Sequence, residues 1–243
     1  MDAAEGRVNA LGQALLWLND PLNWTNPGGI LDRLVEHLWI SAAAIALGCL
    51  VAWPVGLWLG HRGRGGSWVV LVSNLTLAIP TIALLTILPL TMLGFGKPPV
   101  IIALAVFAVP PLLANAYTGV REIDPEARDA ARGMGLSGGQ LLRQVELPLA
   151  VPYLAAGLRT AAVQVVATAA LASFVNGGGL GQIVSAGFGL GPGVGEGQVI
   201  AGGALVALLA LTVEGLLAIL QRALTPPPLR RGGRRRVPAV GEA

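Results

Sequence analysis

Residues 121–152 read REIDPEARDAARGMGLSGGQLLRQVELPLAVP, and what they are decides what the whole chain is. The letters LSGGQ at 136–140 match a string that touches nucleotide phosphate in one class of ATPase. Such an enzyme also needs a glycine-rich loop, G-x-x-x-x-G-K-[ST], whose amides and lysine hold the phosphates. The single lysine, Lys97, lies in GFGKPP and is followed by two prolines. No apolar strand ends in Asp-Glu to hold magnesium. The five letters therefore have no catalytic meaning here, and the chain is expected to be no enzyme.

The same segment carries clear helix signals. Asp124 can cap, Pro125 takes the first helical position and Glu126 lies in the first turn. Ala127, Ala130, Ala131 and Met134 are spaced to form one small, weakly apolar face. Gly133 and Gly135 are expected to stop this helix, and Leu141, Leu142 and Val145 to begin a second short one before Pro148. A short helix with a small-residue face suits the groove of another protein.

Outward from this loop the chain is very apolar. Hydrophobic residues make up 54% and charged ones 12%, where soluble domains carry roughly 25% charge; the mean hydropathy is +0.69. Five runs, near 36–60, 67–94, 99–119, 150–174 and 198–221, each approach or exceed the roughly 20 apolar residues that cross a bilayer. The expected fold is an all-α membrane protein of five spans. No cleavable signal peptide is evident, because the polar, Trp-containing lead has neither a basic start nor a small-residue cleavage pattern. Cys49 is the only cysteine, which excludes an internal disulfide or a cysteine metal cluster. His37 and His61 fall at span ends without ligand partners and are expected to be interfacial, so no metal site is predicted.

Charge distribution sets the orientation. The loops after spans 1, 3 and 5 hold Arg62 and Arg64; Arg121, Arg128, Arg132 and Arg143; and Arg222, Arg230, Arg231, Arg234, Arg235 and Arg236. The other side holds only Arg7, Arg33 and Lys97. Positive charge collects on the cytoplasmic side, so the N-terminus is predicted outside and the C-terminus inside, with the net charge of +3 implying no nucleic acid. The expected divisions are an extracytoplasmic lead over 1–34, a membrane domain over 35–221 with its loop at 121–148, and a basic cytoplasmic tail over 222–243, predicted disordered. Trp39, Trp58 and Trp68 fall near span ends, where indoles favour the interface.

The loop resembles the EAA loop of type I ABC importer permeases, whose pattern is E-A-A, three residues, Gly, nine residues, then I-x-L-P. Asp129-Ala130-Ala131 is followed at that spacing by Gly135 and by Val145-Glu146-Leu147-Pro148, with Asp for Glu and Val for Ile as the departures. LSGGQ sits in the variable stretch between. IPTIALLTILPL (79–90), VPPLLANAYTGVREID (109–124), residues 131–161 and GGGLGQIV (177–184) resemble the osmoprotectant branch, importers of glycine betaine, carnitine or choline. The resemblance implies a permease subunit in the plasma membrane, with a coupling helix near 126–135 and coupling residues Glu126, Asp129, Ala130, Ala131, Gly135, Val145, Leu147 and Pro148. It implies three kinds of partner: cytoplasmic ATPases that carry the ATP and magnesium, a second permease (itself or a paralogue), and an extracytoplasmic binding protein. No cofactor is implied on this chain. The competing expectations are a permease for methionine or another amino acid, and a membrane scaffold that only recruits an ATPase.

Four features stay open at this level. Gly177, Gly178, Gly179 and Gly181 form either a tight re-entrant turn near an outer gate or a plain flexible loop. Arg159 and Glu214 lie roughly 15 and 12 Å from the same membrane face. They either pair in the protein interior or snorkel separately. Glu196 is solvated, or it contacts the binding protein. The span prolines and glycines serve a path or close packing.

Overall fold

The computed structural model describes residues 3–224 and is all helical there. The basic tail expected to be disordered therefore lies, beyond residue 224, outside the described residues. The elements are α1 (Ala3–Asn19), α2 (Pro21–Thr25), α3 (Ile30–Arg62), α4 (Gly66–Ala78), α5 (Thr81–Ile87), α6 (Lys97–Arg121), α7 (Pro125–Gly133), α8 (Gly138–Leu141), α9 (Leu147–Thr168), α10 (Gly181–Gly189) and α11 (Glu196–Leu224). Among the described residues, four helical stretches are long and apolar enough to cross a membrane. A further apolar pair, Gly66–Ala78 and Thr81–Leu90, meets at 71° and has the form of a broken span or a re-entrant loop. Pro80 sits at that break, where it supplies no amide and disfavours helix in the residue before it.

α6 is the centre of the bundle. Val100, Ala103, Leu104, Ala108 and Leu112 are buried on it, packed with Ile40, Ala44 and Ala52 of α3 and Ala161 and Val165 of α9. Missing side chains let these helices approach. A Cβ at Gly56 would lie 2.7 Å from that of Ala116, and one at Gly157 would lie 2.7 Å from that of Asn115. At these positions the glycines serve packing, as small residues do between membrane helices.

The lead over 1–34, to which the sequence assigned no secondary structure, is helical where it is described. It forms α1 and α2, with Asp20 accepting from the Leu22 amide as the cap of α2. α1 lies so close to α11 that a Cβ at Gly197 would come within 2.6 Å of Gln13 Cβ. α11 is nonetheless the least covered of the four long stretches.

Candidate coupling site and the opposite glycine turn

Helix α7 begins and ends as its residues dictate. Asp124 accepts from the Glu126 amide at 2.9 Å, and Pro125 opens the helix. At the other end the Gly135 amide donates to Arg132 O and the Leu136 amide to Ala131 O. This is a Schellman ending, which places its glycine in the left-handed region; Gly135 has φ +86°. A Cβ there would meet nothing within 4 Å, so conformation rather than crowding calls for the glycine.

The small-residue face is split rather than wholly presented outward. Ala131 is buried and Ala127 half-buried against the chain, while Glu126, Asp129, Ala130 and Met134 are exposed. Asp129 pairs with Arg132 at 3.3 Å on that exposed surface. The physical reason is rotation: adjacent residues stand about 100° apart on a helix of 3.6 residues per turn, so Ala130 and Ala131 cannot both face out.

The LSGGQ stretch is a helix start. Ser137 and Gln140 close a capping box on α8, with Gln140 Oε1 accepting from the Ser137 amide at 2.8 Å. The second helix does not stop before Pro148, as expected, but runs on into the membrane. One π-helical turn, Leu142–Glu146, joins α8 to α9, and the stretch Gly138–Val175 forms one span. Within it Val145 and Leu147 are half-buried and Pro148 exposed.

At the root of this loop lies a buried carboxylate. Glu146 is 1% exposed; its Oε2 is 2.6 Å from His61 Nδ1 and its Oε1 is 3.1 Å from Arg128 Nε. The Arg128 contact is ionic without hydrogen-bond alignment, and another guanidinium nitrogen donates to Val120 O. His61 is thus no free interfacial histidine. It joins the end of α3 to the root of α9.

The glycine turn occupies the opposite end of α3 and is a packed turn, not an open loop. Gly177, Gly178, Gly179 and Gly181 are all buried. The Gly179 amide donates to Glu36 Oε2 at 2.9 Å, and the Leu180 amide to His37 Nδ1 at 3.2 Å. His37 Nε2 lies 2.9 Å from Val166 O. Since Nδ1 accepts, Nε2 carries the proton and donates, which defines a neutral imidazole. His37 is fully buried, contrary to its expected interfacial place: α3 begins at Ile30, nearly two helical turns ahead of the apolar run near 36, and packs under the turn. Glu36 also pairs with Arg33 at 2.9 Å and Lys97 at 3.0 Å.

Arg159 and Glu214 meet between α9 and α11. Arg159 Nε donates to Glu214 Oε1 at 2.6 Å, a second guanidinium nitrogen reaches the same oxygen, and Gln221 Oε1 lies 3.4 Å from Nη1. Their side chains are 38% and 33% exposed, so within this chain the pair lies on an open face. Glu196 is exposed, and its carboxylate accepts from the Gly193 amide at 3.3 Å. Among the described residues no three His, Cys, Asp or Glu side chains group as a metal site would need.

The family described as "Binding-protein-dependent transport system inner membrane component" matches residues 37–226. The chain belongs to that family. This transport component is 38% identical to the choline transport system permease protein OpuBB of Bacillus subtilis (strain 168), over 85% of this chain and 94% of that one. It is 37% identical to the glycine betaine/carnitine/choline transport system permease protein OpuCB of the same organism, over 85% and 93%. It is 33% identical to the osmoprotectant import permease protein OsmW of Salmonella typhimurium, over 84% and 96%. Among solved structures, the inward-facing MetNI methionine ABC transporter matches with a TM-score of 0.72 at 25% identity, covering 86% of this chain and 100% of that one. The type I importer permease fold expected from the sequence is therefore the fold observed. The relatives are transport subunits, not enzymes, and the transport component is a multi-pass protein of the inner membrane.

Sequence reasoning about this transport component missed Glu36, Arg128, Glu146 and the true places of both histidines. The available signal was Glu146 itself, a lone carboxylate between apolar residues ahead of Pro148. An isolated acid in such a run needs a partner, and Arg128 and His61 are basic side chains in loops predicted at the same membrane face.

Proposed function

We propose that this chain is a permease subunit of an ATP-driven importer, forming part of the path for a small osmoprotectant such as glycine betaine, carnitine or choline. A binding protein delivers the solute from outside. A second permease, identical or paralogous, completes the path, and two cytoplasmic ATPases supply ATP and magnesium. The N-terminus is outside, the α7 loop and C-terminus are inside, and the Gly177–Gly181 turn lies at the outer gate.

The observation that carries the coupling role is α7 itself. It is capped, stopped by Gly135, anchored at its base, and presents Asp129, Ala130 and Met134 outward, exposed among the described residues. A helix so presented fits a groove on a partner. The osmoprotectant substrate is favoured over methionine because relatives 33–38% identical carry osmoprotectant names, whereas the methionine transporter matches at 25%. A scaffold without transport is disfavoured because the relatives carry transport permease names over nearly their whole length.

The test has two arms. A strain lacking this gene is complemented and given choline, glycine betaine, carnitine or methionine in high salt, with labelled uptake measured. Osmoprotectant uptake and growth rescue are expected; methionine uptake alone would overturn the substrate. A Met134→Cys permease should cross-link to its ATPase, and no cross-link at any nucleotide state would overturn the coupling role of α7.

A further inference from the structure

We infer that Glu146, with Arg128 and His61, is the rigid joint through which movement of α7 reaches the spans. This rests on the reading of α7 as the ATPase-contacting helix, and it assigns positioning roles to three residues that the EAA pattern does not specify. α7 has two attachments of opposite character. On its C-terminal side the chain passes through Gly133, Gly135, Gly138 and Gly139, and around three of these there is open space, with nothing within 4 Å of where a Cβ would stand. That side can bend easily. On its other side Arg128, 13% exposed, contacts both buried Glu146 and the end carbonyl of α6 at Val120. Glu146 in turn holds His61 at the end of α3.

A buried carboxylate held by two basic groups resists being drawn away from both together, because that would leave a buried charge without a partner. α7 therefore cannot shift alone. It carries the ends of α3 and α6 and the root of α9 with it, and the glycine stretch absorbs the change in its own path. Glu146 also closes the π-helical turn, a local irregularity that often marks functional positions. Force applied at the exposed tip of α7 is thus delivered to three spans at one point.

The experiment uses the complete transporter, with its ATPase, second permease and binding protein, reconstituted in lipid. Solute moved per ATP hydrolysed is measured for wild type, Glu146→Gln, His61→Ala and His61→Gln. In parallel, with Cys49 replaced, spin labels at Met134→Cys and Thr160→Cys report the distance from α7 to α9 with and without nucleotide. In the wild type this distance should stay constant and narrow through the cycle. Glu146→Gln and His61→Ala should broaden it and lower the transport ratio roughly two- to thirtyfold, the range seen for substitutions that alter coupling. His61→Gln keeps a donor for Glu146 and should restore most of the ratio.

A wild-type ratio and a fixed distance in Glu146→Gln would overturn the joint. If that variant fails to assemble, the His61 pair decides: equal ratios for His61→Ala and His61→Gln would overturn it. The Met134→Cys cross-link to the ATPase is run on the same samples. Its absence from the wild type overturns the docking role of α7, whereas its presence beside a normal ratio in Glu146→Gln overturns the joint alone.

Discussion

The two ends of α3 each carry a histidine and meet a glutamate, yet they are built on different principles. At the His61 end, side chains from α3, α7 and the root of α9 converge on buried Glu146, and an exposed helix projects beyond them. At the His37 end, Glu36 and His37 accept backbone amides from a turn whose residues lack side chains. One end is held by what its residues carry, the other by what its glycines omit. A joint of side chains can be weakened in steps, while a turn that admits no Cβ fails at the first added carbon.

The largest expected effect is at the turn. A Cβ on Gly181 would lie 1.9 Å from Ala170 O, and one on Gly178, at φ +88°, would lie 2.3 Å from Glu36 Cδ. Gly178→Ala combines overpacking, about 1–3 kcal/mol, with left-handed backbone, about 1–2 kcal/mol. Thermal unfolding of the purified protein should show a loss near the sum for Gly178→Ala and a severe loss for Gly181→Ala. Gly191→Ala, at φ +83° with open space around it, should show the backbone cost only. Equal melting of Gly178→Ala and Gly191→Ala would remove the distinction between the two ends.

Next comes the histidine contrast. His37→Ala strands the Leu180 amide and the Val166 carbonyl, each worth about 1–3 kcal/mol when buried without a partner. His61→Ala leaves Glu146 its Arg128 contact, and His61 is 23% exposed, so water fills part of the gap; about 1.5 kcal/mol is expected. The same unfolding measurement compares them. A larger loss at His61 would reverse the comparison.

Gly135→Leu sharpens it further. The position is strained for a side chain but uncrowded, so the stability loss should be about 1–2 kcal/mol, with membrane insertion intact. ATP hydrolysis should separate from uptake, measured in the reconstituted transporter. Normal coupled transport would show that the ending of α7 does not matter for docking.

The smallest effect belongs to Ser137→Ala. It removes one half of a capping box, about 0.5–2 kcal/mol, and should leave nucleotide hydrolysis by the assembled transporter near wild type. A collapse of hydrolysis would give the LSGGQ letters a catalytic meaning after all.

What the amino-acid sequence determined on its own was local or periodic. Apolar run lengths placed the four long helical stretches and the bent apolar pair, Asp124 and Pro125 opened α7, and Gly135 closed it, because each depends on a few consecutive residues. Pro80 stands inside the second run, but that the chain bends there, by 71°, only the structure decided. Tertiary structure alone decided the partners of charge. Glu146 and His61 are 85 positions apart, and Glu36 and Gly179 are 143 apart. Burial tells that a charge in an apolar run must be satisfied, but many arrangements satisfy it equally in sequence terms. Only the packing of α3 against α6 and α9 brings one histidine to the root of the α7 loop and the other beneath the glycine turn.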